Sequence, residues 1–287
     1  MFRIAVLLLL GVVVARSATG QTTDATFPRS VGRMYAASTS QAWADVVKVL
    51  DDAGIKTELK DDDGRFLVTR PIQVDAKRFG FALTDVVGNA TNGRVKLHVF
   101  VPKFIEPARV YVGSTLTAEV SAQDSSTRAQ MLVYGVDAFG DWLLARISKQ
   151  LALPAYRIPQ QPAARAKLAR TLLRGGDQTC LSRLEGGDQR GAATDVNWMA
   201  PRKLHDVPAI YPRTSANTNQ ERALVVNAVI GEDGFPWPIG VATGSPGDDF
   251  ATTSLGSIAL WRFTPMMVDG CPTPTPVMRV SVNFAIK

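Results

Sequence analysis

Proton transfer near neutral pH would fall to His98 and His205, the only two histidines in the chain. A Ser-His-Asp site would have to recruit one of them. His98 lies on the more polar face of an alternating strand. His205 stands among Lys203, Asp206 and Pro208 in a stretch that reads as a loop. Both are read as surface or packing residues. The run Asp61-Asp62-Asp63-Gly64 invites a calcium loop, but matching Gly64 to the sharp turn of such a loop puts Leu59 and Arg70 at liganding positions. A hairpin turn explains the run better. Asp248 and Asp249 are adjacent and read as solvated. The sequence carries neither a Walker loop nor a dinucleotide fingerprint. The expectation is a protein with no catalytic residues and no cofactor.

The two cysteines, Cys180 and Cys271, allow one intramolecular pairing. A disulfide between them is expected in an oxidising compartment; two buried free thiols are the alternative. Two cysteines with two distant histidines do not make a zinc site, so no metal is expected. The net charge of +6 and pI near 9.5 admit an anionic partner. No nucleic-acid motif accompanies that charge, and no nucleic-acid role is expected.

Export is suggested by the first residues. Arg3 precedes an apolar run from Ile4 to Ala15, and Ala18-Thr19-Gly20 before Gln21 has the small residues of a cleavage site. Residues 1–20 therefore read as a secretory signal peptide. The run is shorter than the roughly 20 residues of a spanning helix, so an uncleaved anchor is the second reading. The expected location is the periplasm, with membrane contact only through a partner or an uncleaved signal segment.

Stepping along the chain, residues 21–34 read as a loose lead-in. A helix is expected from Ser38 to Ala53, capped by Ser38 and ended by Gly54, with Ala42, Val46, Val49 and Ala53 at helical spacing. A hairpin follows around Asp61–Gly64. Val95, Leu97, Val99 and Val101, then Val110, Val112, Leu116 and Val120, mark two more strands. Ser126 to Leu153 reads as one long helix with Leu132, Val136, Phe139, Leu143, Ile147 and Leu151 on a stripe. The expected organisation is an N-terminal α+β domain at 36–153, a linker at 154–199 and a C-terminal domain at 200–287. Within the linker, Ala163–Leu173 reads as a short basic helix with Arg165, Lys167 and Arg170 on a solvated face. The fold class is α+β: two small domains, each an antiparallel sheet packed with helices.

In the C-terminal part Leu224, Val226, Ala228 and Ile230 face one way along a strand, and Glu232-Asp233-Gly234 forms a turn. Trp237 to Thr243 returns as a second strand. Phe250 to Trp261 reads as a helix. Met278, Val280, Val282, Phe284 and Ile286 alternate along a closing strand. A ββαβ unit follows.

This segment resembles the TonB C-terminal domain family. The pieces occur in the family's order: Tyr211-Pro212, the turn Gly231-Glu232-Asp233-Gly234, the turn Thr243-Gly244-Ser245, the helix exit Trp261-Arg262-Phe263-Thr264-Pro265, the hairpin Asp269-Gly270, and the closing strand. Tyr211, Pro212, Gly234, Trp261, Phe263, Pro265 and Gly270 are expected in structural roles. The glycines permit positive φ in tight turns, and Trp261 and Phe263 fill the helix–sheet contact. The sequence departs from the family at Asp249-Phe250-Ala251, at Glu221-Arg222 and at Cys271. It has neither the His-bearing anchor nor the long Pro-rich spacer of an energy transducer.

The resemblance implies a module that binds an envelope protein, such as an outer-membrane receptor. In that family the closing strand receives an extended peptide by strand addition. Here Val277, Arg279, Ser281 and Asn283 would meet the partner. Two alternatives remain open. One is an envelope assembly factor whose N-terminal domain binds; the other is a transducer with a retained anchor.

Overall fold

The computed structural model describes residues 30–121, 128–173, 179–185, 197–212, 222–243 and 248–284. The signal-peptide reading of residues 1–20 lies outside the described residues, as do Gly244, Ser245 and Ile286.

The N-terminal half contains β1 (Val31–Met34), α1 (Thr39–Asp52), β2 (Thr57–Asp61), β3 (Phe66–Thr69), β4 (Ile72–Gln73), α2 (Ala76–Phe79), β5 (Ala90–Phe100), β6 (Arg109–Ser121), β7 (Arg128–Tyr134) and α3 (Asp137–Leu151). The expected first helix is present as α1. Ser38 accepts a hydrogen bond from the Gln41 amide, and Ala42, Val46 and Val49 are buried. The expected hairpin is β2–β3, whose turn is tied by the Gly64 amide donating to Asp61. The strands form one antiparallel sheet in the order β2-β3-β5-β6-β1-β8, where β8 is Tyr156–Arg157; β4 adds to β5 and β7 to β6. α1 and α3 cover one face, sealing a core that includes Val46, Leu97, Val110, Phe139 and Leu143.

Two expectations are corrected here. Val31–Met34 is no lead-in: it pairs with β6 over four residues, ahead of the expected start at residue 36. The long helix expected from Ser126 is split. Arg128–Tyr134 is β7, laddered on β6 from Ser121↔Arg128 to Thr115↔Tyr134, and α3 begins only at Asp137. The spacing of Leu132 and Val136 matched a helix by coincidence, while the edge of β6 offered seven residues a partner. Gly135, at φ 63°, supplies the left-handed turn between strand and helix, a conformation open to glycine at little cost.

The stretch expected as a linker is a packing layer. It holds α4 (Pro162–Leu172) and α5 (Thr179–Glu185), followed by β9 (Trp198–Met199) and β10 (Lys203–His205). On the second face of the large sheet, Met34, Phe66, Phe100 and Tyr111 form a core with Ala166 and Ala169 of α4, Leu181 and Leu184 of α5, and Phe235 of the C-terminal part. The two sheets therefore share a hydrophobic core. Arg165 is buried in that layer, which corrects its placement on a solvated face.

The C-terminal part has β11 (Arg222–Ile230), β12 (Pro236–Val241), α6 (Asp249–Ile258), β13 (Arg262–Phe263), β14 (Met266–Val268), β15 (Cys271–Thr273) and β16 (Met278–Phe284). Its main sheet has the order β12-β11-β16, and α6 closes a core of Leu224, Val226, Phe250, Leu255, Val282 and Phe284. The expected ββαβ unit is present. β14 and β15 form a small second sheet with β9, and β10 pairs with β13.

Candidate functional site: an open sheet edge and a buried ionic junction

The register of the C-terminal sheet determines which backbone groups point outward. The Val225 amide donates to Thr243 Oγ1 at 3.0 Å, and its carbonyl accepts from the Ala242 amide at 2.7 Å. Val225 thus spends both groups on the β12 side. Hydrogen-bonded and non-bonded pairs alternate in an antiparallel ladder, so Val225↔Ser281 is a non-bonded pair. Ladder bonds to β16 fall at Arg222↔Phe284, Leu224↔Val282 and Val226↔Val280. The N–H and C=O groups of Arg279, Ser281 and Asn283 consequently face away from β11. Among the described residues β16 pairs with β11 alone.

Side chains follow the same parity. Val282 and Phe284 are buried and Val280 half-buried, whereas Val277, Arg279, Ser281 and Asn283 are exposed, Val277 at 60%. Each of the last three residues therefore presents both its side chain and its free backbone groups.

The opposite edge differs. Ile230 spends its backbone groups on Thr275, so Ile230↔Pro236 is a non-bonded pair, and so is Ala228↔Pro238 two residues on. Pro236 and Pro238 therefore occupy outward positions in the first half of β12, and neither has an N–H to donate. Proline is a common device for blunting a sheet edge.

The remaining expected positions frame this sheet. Tyr211 packs edge-on to Phe250 and Phe284 at 5.2 and 6.3 Å, and Pro212 is buried beside it in sequence. Trp261 is buried and donates its indole N–H to the Val207 carbonyl at 2.9 Å. Phe263 and Pro265 are buried. Gly234 has φ 77°, and a Cβ there would lie 2.0 Å from the Phe263 carbonyl oxygen, so no larger residue fits. Asp269 (φ 49°) and Gly270 (φ 77°) make the turn between β14 and β15. Cys180 of α5 is disulfide-bonded to Cys271 of β15.

Five residues tie the halves together; the sequence places Glu232 and Asp233 only in a turn and Arg165 only on a helix face, and gives Arg109 and Tyr111 no role. Glu232 and Asp233, at the tip of the β11–β12 hairpin, are 0% exposed. Arg109 of β6 contacts Glu232 at 2.7 Å and Asp233 at 2.8 Å. Arg165 of α4 forms a fork on Glu232, with Nε to one oxygen and Nη2 to the other, both at 2.6 Å. The Tyr111 hydroxyl donates to Asp233. Burial alone would push the Glu232 carboxyl up; Arg109 and Arg165 outweigh it and hold the group well below the usual carboxylate range. Burial, with Asp233 beside it, pushes the Tyr111 phenol well up.

A third guanidinium, Arg262, is buried between the rings of Phe100 and Phe235 at 5.4 and 5.3 Å and donates to the carbonyls of Ala259 and Trp261. Burial brings its pKa down to about 9, with Tyr111 and Asp233 partly opposing. One signal for this junction was legible. Arg165, Leu168, Ala169 and Leu172 follow the spacing of an apolar helix stripe, with a charge where an apolar residue belongs.

His98 and His205 meet at this junction, with ring centroids 6.4 Å apart. His98 is buried, which corrects its placement on a polar surface face: the C-terminal part covers that face. Its Nε2 contacts Thr115 Oγ1 at 3.2 Å. His205 is part of β10 rather than a loop and stacks on Phe66 at 5.0 Å. Burial, then the charges of Arg262, His205 and Lys96, bring the His98 pKa down to about 3. Its ordinary value is near 6.5, so the unfolded chain takes up a proton that the folded chain refuses. Stability is therefore full above pH 6.5 and falls as the pH drops towards 3. The loss should reach about 2 kcal/mol by pH 5 from this group alone. Urea titrations at pH 7 and 5 measure it, and His98→Gln should remove most of the difference. A pH 5 loss unchanged by that substitution would contradict the assignment.

A three-stranded sheet with one helix, one proline-blunted edge and one open edge defines a small α+β module suited to binding protein. In agreement with that class, residues 207–286 match the model of a family described as Gram-negative bacterial TonB protein C-terminal. The segment is thus a protein-interaction module of the TonB kind, from a periplasmic family that is itself non-enzymatic. No curated protein matches the chain. Among the described residues no helix is long and apolar enough to cross a membrane.

Proposed function

We propose that this chain is a periplasmic adaptor that receives an extended segment of an envelope protein, such as an outer-membrane receptor, along the free edge of β16. The observation that carries the reading is the contrast between edges: outward N–H and C=O groups at Arg279, Ser281 and Asn283 on β16, against Pro236 and Pro238 on β12. Strand addition draws affinity from main-chain hydrogen bonds, and it needs such an unpaired row. The 36–153 unit acts as a fixed platform for the 200–287 module, since the hairpin tip is buried against it.

Ser281→Pro is the discriminating variant. It removes an outward donor without touching a ladder bond to β11, so the fold should persist with a stability change within about 1 kcal/mol. Capture of envelope proteins by the full chain should fall at least about tenfold, the cost of one or two lost main-chain bonds. Capture that survives in a folded Ser281→Pro protein rules this edge out as the docking strand.

A further inference from the structure

From the side chains that flank the open edge we infer that β16 selects an amphipathic partner strand with an acidic residue opposite Arg279; this rests on the strand-addition reading above. The solvent-facing rows of the sheet carry Arg279, Ser281 and Asn283 on β16, opposite Asn227, Val225 and Ala223 on β11, with the exposed Val277 just ahead of β16. Arg279 is the one charge in these rows. It is exposed and has no ion-pair partner among the described residues. Its neighbours across β11 and along β16 are small or neutral, so no carboxylate of this sheet competes for it.

Arg279 also has its backbone groups turned to the edge. An added strand would place one residue directly opposite it in a hydrogen-bonded pair, with both side chains on the solvent face and Cα atoms about 5.5 Å apart. Opposite charges at such a position attract and like charges repel.

The other face of the edge asks for different chemistry. Met278 is 36% exposed and Val280 half-buried, although both lie on the side of the sheet that α6 covers. Val282 and Phe284 further along are buried. The core is thus left unsealed at the first half of β16. A strand laid beside it would extend the core with apolar side chains at alternate positions. The partner segment therefore alternates, with apolar residues towards α6 and polar ones, including Asp or Glu at Arg279, towards solvent.

Three synthetic ten-residue peptides test this: alternating Val and Thr, with the central Thr kept, replaced by Glu, or replaced by Lys. They are titrated into the full chain at low salt by calorimetry. The Glu peptide should bind roughly five- to thirty-fold tighter than the Lys peptide, with the Thr peptide between them. Arg279→Glu should reverse that order, and Ser281→Pro should weaken binding of all three at least about tenfold. Equal binding of the three peptides, weakened in Ser281→Pro, overturns the acidic preference and leaves strand addition standing. No binding by any peptide, or binding indifferent to Ser281→Pro, overturns both. If light scattering finds a dimer with the β16 amides already protected, the edge belongs to a second copy and the inference fails.

Discussion

Glu232→Ala should destabilise the folded chain by about 3–5 kcal/mol, the range for removing one partner of a buried ion pair. The junction holds three buried guanidiniums, Arg109, Arg165 and Arg262, against two buried carboxylates, Glu232 and Asp233. Among the described residues, removing Glu232 leaves Arg165 with the carbonyls of Pro159 and Gln160 and the Trp237 ring, and leaves Arg109 with Asp233 as its one carboxylate. Uncompensated charge in a buried interface is costly, and the hairpin tip would have to withdraw from it. Urea titration of the single variant measures the loss. Arg165→Met combined with Glu232→Met should be less damaging than Glu232→Ala, because the pair leaves together and Arg109 keeps Asp233. A loss below about 1 kcal/mol for Glu232→Ala would mean that the hairpin tip is not held by these charges.

The second large effect concerns the disulfide. Cys180 and Cys271 close a loop with a sequence separation of 91 residues. In the chain-entropy model such a cross-link stabilises by about 4–5 kcal/mol, because the reduced unfolded chain regains that freedom. The bond joins α5, which packs on the large sheet, to β15, next to β14 and β9. Reduction, or Cys180→Ser with Cys271→Ser, should lower the thermal midpoint by many degrees and loosen β9, β14 and β15 first. A melting curve indifferent to reductant would place the stability of this corner in packing alone.

Local pattern carried the elements whose burial is one-sided. Leu224, Val226, Ala228 and Ile230 alternate because one face of β11 meets α6, and the same holds for Val280, Val282 and Phe284 on β16. The residues of β7 match helical spacing, and spacing alone carries no sign of the β6 edge that pairs with them. The ionic junction was hidden for a related reason. Glu232-Asp233-Gly234 has the composition of a solvated turn, and the turn geometry is present. Its burial depends on Arg109 and Arg165, 123 and 67 residues away from Glu232 in sequence. The outward direction of Arg279, Ser281 and Asn283 needed the register with β11, since alternation fixes side-chain faces but not which backbone groups remain unpaired.

Residue-resolved amide hydrogen exchange along β16 tests the open edge most directly. In the free chain the amides of Arg279, Ser281 and Asn283 should exchange rapidly while those of Val280, Val282 and Phe284 are protected. Binding of an envelope partner should slow the first three. Protection of all six in the free monomer, or a bound partner that leaves Arg279, Ser281 and Asn283 exchanging as before, would contradict the account.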